Sequence, residues 1–402
     1  MGTPSTLAAT PQPRAVRPPV ERVRIGIAFG AIALMGVAAG ATGVLLPEQM
    51  AEYGVDKATI GLTFLAFSVG YIATATANGV LLHRLGVRRH LALGTLAALA
   101  AAIALTVPAG FALLLAGQVV IGLGMGMLDA GLNSYLSTLE RSTALLNFHH
   151  AFFGVGALIG PLAAAGLIDR GLSWHVFFGL FAVAMVAQFA ALAAYPRSGQ
   201  VDATGERPRL GVALRLVVVL VLAAFLGVYV GVEASVGNWA FSYLTEDRGQ
   251  AVLAAGWAVS GYWAGLTLGR LTLNAAAERV GLSVARLTAV CIGGVGVASL
   301  AVWLLPSTAA ATVSLVVLGF FLGPLFPTTI AVVPRLVRAD LVDTAIGILV
   351  ATSIAGGATL PLLVGVSAQH FGLWSMLPWA AAGAAGMGVL WWRIARRLAR
   401  AA

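Results

Sequence analysis

The sequence predicts an all-α membrane protein of twelve transmembrane helices, arranged as two pseudo-symmetric six-helix bundles. Three observations point there. Of 402 residues, 59% are hydrophobic and 10% charged, against roughly 45–50% and about 25% in a soluble domain. Apolar stretches follow one another from Ile25 to Ile394, each near the 20 or so residues that cross a hydrocarbon core of about 30 Å at 1.5 Å per residue. Finally, the two halves of the chain carry a weak internal repeat.

Residues 1–24 are rich in Pro and Arg and precede an apolar run too long for a secretory signal. They are expected to form a disordered cytoplasmic tail. Six spans follow near 25–46, 60–82, 91–107, 112–139, 148–168 and 174–195, making an N-terminal bundle over 25–195. A polar linker over 196–214 carries Arg197, Asp202, Glu206, Arg207 and Arg209. Spans near 216–244, 252–273, 287–305, 311–333, 345–368 and 375–394 make a C-terminal bundle over 215–394. Residues 395–402 form a second tail. Lys and Arg accumulate in short cytoplasmic loops. With the N-terminus inside, Lys57, Arg170 and Arg248 alone among the 24 fall on the other side. The prediction is therefore a multi-pass protein of the inner (cytoplasmic) membrane with both termini cytoplasmic.

The repeat is visible in three places. His83-Arg84-Leu85-Gly86 after span 2 corresponds to Glu278-Arg279-Val280-Gly281 after span 8. Gly122, Gly126 and Arg141 around span 4 have the spacing of Gly319, Gly323 and Arg338 around span 10. Pro161, Leu162 and Trp174 recur as Pro361, Leu362 and Trp374.

Several function classes are disfavoured. The formal charge of +9 is spread over the gaps between spans rather than gathered on one face, so no nucleic-acid partner is expected. Cys291 is the single cysteine and lies in an apolar run, which leaves no disulfide framework or Cys-based metal cluster. An intramembrane enzyme would need a nucleophile with a base, or a metal cluster, in one plane. His149 and His150 do not share a helix face, and the one further His within the predicted bounds, His175, stands at the very edge of its span. No cofactor and no metal are expected.

Gly79-Val80-Leu81-Leu82-His83-Arg84-Leu85-Gly86-Val87-Arg88-Arg89 resembles the loop signature between spans 2 and 3 of the major facilitator superfamily. His83 stands where that family has an Asp that takes part in a cytoplasmic charge network. Within the superfamily, three stretches are most similar to the fucose:proton symporter, or fucose permease-like, branch. They are Gly126-Met127-Leu128-Asp129-Ala130-Gly131-Leu132-Asn133 in span 4, Leu146-Asn147-Phe148-His149-His150-Ala151-Phe152-Phe153-Gly154-Val155-Gly156-Ala157 in span 5, and Gly231-Val232-Glu233-Ala234-Ser235-Val236-Gly237-Asn238-Trp239 in span 7. The resemblance implies the major facilitator fold, in which two related halves rock around a central site. It also implies proton-coupled symport of a sugar or similar polar solute. Asp129 matches that branch's coupling acid in span 4, whereas Gly43 stands at about the place of its span 1 acid.

Of the 15 acidic residues, Asp129 and Glu233 alone fall within predicted spans. A charge at the helix centre costs about 2.5–3.5 kcal/mol on insertion scales, so both are candidate proton-coupling groups. Asn133, four residues after Asp129, shares its face; the alternative for Asp129 is a structural hydrogen-bond network. Glu233 has two alternatives. A continuous span 7 starting at Arg215 would put it near the outer interface, and a break at Gly231 and Gly237 would turn it into a central cavity. Asn238 and Trp239 would then contact substrate, the alternative for Trp239 being an interfacial belt residue. Asn147 and His150 lie on one face of span 5, and the imidazole is suited to relaying a proton or binding a hydroxyl. Arg270 is expected to snorkel as a cytoplasmic anchor. The expected partners are a small-molecule substrate, the proton and membrane lipid, for a chain working as a monomer. The rival expectation is proton-driven efflux of an amphipathic compound or drug, which fits the apolar and aromatic content and the absent span 1 acid.

Overall fold

The computed structural model describes residues 19–195 and 210–401. The tail predicted before Pro19 and most of the linker, 196–209, lie outside them. Among the described residues all regular structure is helical, as lipid requires of a chain that must pair its own backbone groups.

Helix α1 runs Pro19–Tyr53. The stretch Leu62–Ala104 is helical throughout except at Gly86, whose φ of 72° lies in the left-handed region open to glycine. Unbent, its 43 residues would reach about 65 Å, twice a bilayer core. Gly70, before the bend, and Gly94, after it, both press on the middle of α4 (Phe111–Ser137). A Cβ at Gly70 would collide with the Val119 carbonyl, and one at Gly94 would lie 2.9 Å from the Gly124 carbonyl. The chain therefore reverses at Gly86 into α2 (62–85) and α3 (87–104), and the gap predicted between spans 2 and 3 is a helical elbow. Helices α5 (Ser142–Asp169) and α6 (His175–Ala191) complete the first half.

The second half contains α7 (Val217–Ser242), α8 (Val252–Arg279), α9 (Val284–Leu304), α10 (Thr308–Leu322, resuming as Leu325–Leu336), α11 (Val342–Phe371) and α12 (Met376–Ala401). By length and composition ten stretches among the described residues can cross a membrane, one being the 48 residues Lys57–Ala104. That stretch supplies two crossings. Helix α8 supplies the twelfth, its second half being diluted by Arg270, Asn274, Glu278 and Arg279.

The halves pack alike. A Cβ at Gly122 would strike the Phe67 carbonyl where α2 crosses α4, and a Cβ at Gly319 would strike the Tyr262 carbonyl where α8 crosses α10. Helices α1 and α5 close on each other through Gly36 and Gly156, and α7 and α11 through Gly227 and Gly356. Lipid tails give helices no hydrophobic reason to associate, so small residues that let backbones touch carry much of the packing. Gly86 and Gly281 repeat in the same way, with φ of 72° and 67°.

One open alternative is decided and two expectations change. Helix α7 is unbroken, because Gly231 and Gly237 serve close packing against Leu360 and Trp263. The broken helix is α10, at Gly323-Pro324. Helix α12 continues to Ala401, so residues 395–401 extend a helix rather than form a tail.

The halves touch mainly toward the end away from the termini, the far end. Lys57 Nζ pairs with Glu246 Oε2 at 2.9 Å, and the Lys57 N–H donates to Gln369 Oε1 at 3.1 Å. A Cβ at Gly61 would meet Leu362 at 2.7 Å, and one at Gly43 would meet the Asn238 carbonyl at 2.5 Å. Deeper in, Ser260 Oγ donates to the Leu158 carbonyl at 2.7 Å, and Gly154 abuts Thr267. Closer to the termini, no hydrogen bond or ion pair joins the halves among the described residues. Among the described residues the polar contacts between the halves therefore lie from mid-depth to the far end.

Candidate functional site

Asp129 sits on α4 about 12 Å along the axis from Ser137, half-buried. Asn133, one turn on, donates from Nδ2 to Asp129 Oδ1 at 2.8 Å and to the Asp129 carbonyl at 2.9 Å. The Tyr71 hydroxyl of α2 donates to Oδ2. The amide thus holds Oδ1 as an acceptor. A hydroxyl can donate or accept, so Oδ2 is the oxygen that can carry a proton while the Tyr71 contact persists.

The second half has its own acid–tyrosine pair. The Tyr229 hydroxyl, one turn before Glu233 on α7, donates to Glu233 Oε2. Arg270 of α8 places Nη2 3.4 Å from that oxygen and 3.4 Å from the Tyr229 oxygen. Its Nε donates to the Gly323 carbonyl at 3.2 Å. That carbonyl lies at the α10 break and is the one left without a helical donor by Pro327, which has no N–H to return four residues back. The Tyr262 hydroxyl of α8 donates to the Glu233 main-chain carbonyl at 2.9 Å. Glu233 therefore faces inward from an unbroken helix, unlike either alternative above. Arg270 is not a snorkelling anchor; its guanidinium bends inward to Glu233 and Gly323.

His150 of α5 stands between these clusters, exposed to the central space and near enough to feel the charges of both Asp129 and Arg270. Asn147, one turn away, is exposed as well, and neither side chain makes a hydrogen bond to another described residue. His150 thus links Asp129 and Asn133 of one half to the Arg270–Glu233 pair of the other.

Trp239 and Asn238 are placed differently. Trp239 is fully buried, its indole N–H donating to the Pro361 carbonyl at 2.8 Å and its ring edge-on to Phe64 at 6.2 Å. Asn238 is half-buried and bonds the Ala234 carbonyl at 2.8 Å. Both belong to the far-end seam in this conformation. His149 is fully buried between α5 and α1, its ring 6.3 Å from that of Phe29. His90 was missed among the spans: it is buried on α3, with Nε2 3.0 Å from the Met127 carbonyl. Tyr71, Tyr229 and Tyr262 were missed too. For Tyr229 the signal lay in its spacing, one turn from an intramembrane Glu.

The family model of the Major Facilitator Superfamily matches the chain twice, over residues 28–249 and 221–401. The chain belongs to that superfamily. As a member it is a secondary transporter rather than an enzyme. The yeast "Bypass of stop codon protein 6" is 25% identical over 369 residues, covering 82% of this chain and 74% of that protein. Among solved structures, a bacterial homolog of the human lysosomal transporter Spinster, inward-facing and unoccupied, superposes with a TM-score of 0.80 at 14% identity, covering 96% of this transporter and 99% of that chain. FucP in the outward conformation gives 0.64 at 16% identity, over 93% and 99%. At these identities the structural likeness is one of fold.

Proposed function

We propose that this transporter couples the movement of a small polar solute to protons by alternating access, with Asp129 and Glu233 as the groups that bind and release them. One observation carries the reading: two intramembrane acids, each hydrogen-bonded by a tyrosine and one also by an arginine, lie on opposite halves around the central space. Such groups are costly in a bilayer unless function retains them. Asn133, Asn147 and His150 offer donors and acceptors to a hydroxyl-rich ligand, which fits a sugar better than an amphipathic drug and agrees with the fucose permease-like stretches. Asn238 and Trp239 join the solute's path when the far end opens. The distribution of Lys and Arg supports an inner-membrane protein with cytoplasmic termini, so the conformation described here faces inward. Each chain holds a whole site, in keeping with a monomer.

The decisive experiment uses Asp129→Asn, which keeps the shape and the neutral form. In proteoliposomes the variant should bind and exchange substrate yet fail to accumulate it under a pH gradient. Undiminished gradient-driven accumulation would remove Asp129 from the coupling and leave Glu233. The substrate comes from a thermal-stabilisation screen of the purified protein with sugars, nucleosides and cationic amphiphiles; stabilisation by amphiphiles alone would favour the efflux reading.

A further inference from the structure

The last turns of α12 carry Arg393, Arg396, Arg397 and Arg400, all exposed. At 3.6 residues per turn they fall within an arc of about 100° and along about 10 Å of axis. The opposite face is pinned: Trp391 and Ile394 are buried, Leu398 packs on the core, and the Trp391 indole N–H donates to the Ala285 carbonyl of α9 at 3.0 Å. The helix cannot roll, so the stripe stays outward. Trp392 borders it, also exposed, with the Arg396 guanidinium 4.3 Å over its ring. No acidic residue follows Asp343 in the sequence, and none of the four arginines has an ion pair among the described residues.

We infer that this stripe is a docking site for anionic phospholipid headgroups of the leaflet on the side of the termini. Depth selects the partner. From Met376 to Arg393 the helix advances about 26 Å, close to one hydrocarbon core. Trp392 then sits at the interface, where indoles collect, and the arginines sit at the level of lipid phosphates. Each guanidinium can grip a phosphodiester with two parallel N–H donors. A basic residue beside an anionic surface contributes about 1 kcal/mol, or roughly fivefold in affinity.

The test follows thermal unfolding of the full chain in neutral detergent during titration with short-chain phosphatidylglycerol, phosphatidylcholine, inorganic phosphate or polyglutamate. Phosphatidylglycerol should stabilise the protein where the other three do not, and added salt should weaken the effect. R393Q/R396Q/R397Q/R400Q should bind phosphatidylglycerol at least about a hundredfold more weakly, whereas the corresponding four-lysine variant keeps most of the affinity. If the four-glutamine protein fails to fold, single Arg396→Gln and Arg400→Gln variants should each lose about fivefold. Unchanged phosphatidylglycerol affinity in the glutamine variants overturns the assignment, and so does equal stabilisation by phosphate, polyglutamate or phosphatidylcholine.

Discussion

Arg270 ties three things together: the Glu233 carboxylate on α7, the Tyr229 hydroxyl, and the Gly323 carbonyl at the break in α10. A change in the charge of Glu233 is therefore felt where α10 bends. Glu233→Gln keeps an oxygen for the guanidinium, and its unfolding free energy should stay within about 1 kcal/mol of the parent. Arg270→Gln leaves the carboxylate without its cation and should cost about 2–3 kcal/mol, less than the 3–5 of a sealed pair because both groups keep some contact with the central space. Thermal unfolding in detergent measures both, and Glu233→Gln/Arg270→Gln should recover part of the loss; a double variant no more stable than Arg270→Gln would mean the pair is not coupled. At this scale the sequence was readable for acids and much less so for cations. Asp129 and Glu233 stand out because a carboxyl in an apolar run has few structural excuses. Arg270, by contrast, lies near the end of its span, and the length of its side chain leaves open whether it reaches outward or inward.

Glycine and proline have different consequences for whole helices, and the contrast explains which elements were legible. Gly231 and Gly237 suggested a break in α7, yet each keeps its N–H and the helix runs straight through while a neighbour moves in close. Pro324 and Pro327 remove donors, and there α10 breaks, with the half-buried Arg270 answering the freed carbonyl. The hydropathy pattern passes over both cases because all these residues are compatible with an apolar run. The elbow at Gly86 was hidden for the same reason, since polar His83 and Arg84 looked like a loop but continue the helical ladder. Where α2 crosses α4, the neighbour of Gly122 is the Phe67 backbone, which cannot rotate away. Gly122→Ala should therefore destabilise the protein by about 1–3 kcal/mol. Gly79→Ala, with nothing within 4 Å of the added carbon, should change it by less than about 0.5 kcal/mol. Equal unfolding temperatures for the two variants would show that the crossing has slack that the close approach does not suggest.

For the whole molecule, span number and the division into halves follow from charge and spacing, because lipid enforces both on the sequence. Which end is open does not, since it depends on contacts between residues that no local pattern pairs. Lys57 and Glu246 are such a pair, one from each half, with side chains 23% and 38% exposed. Exposed ion pairs contribute about 0–1 kcal/mol, so this one shifts the balance of states by up to about fivefold and cannot lock it. The surrounding seam of Gly61 on Leu362 and Gly43 on Asn238 supplies the rest. Lys57→Glu sets two like charges against each other and should raise the fraction open at the far end. The readout is a cysteine at Asn133, which lies in the central space and is shielded from the far side while the seam is closed. In sealed vesicles an impermeant thiol reagent applied to the far face should label it up to about fivefold faster in the Lys57→Glu background. A cysteine at Asp247, on the far face itself, should label equally in every background and fixes the sidedness. Exchanging the charges in Lys57→Glu/Glu246→Lys restores an attractive pair and should return labelling at position 133 to the parental rate. Labelling that stays fast in the exchanged protein would mean that the charge of Lys57 does not hold the seam, because its backbone contacts with Gly365 and Gln369 are the same in every variant.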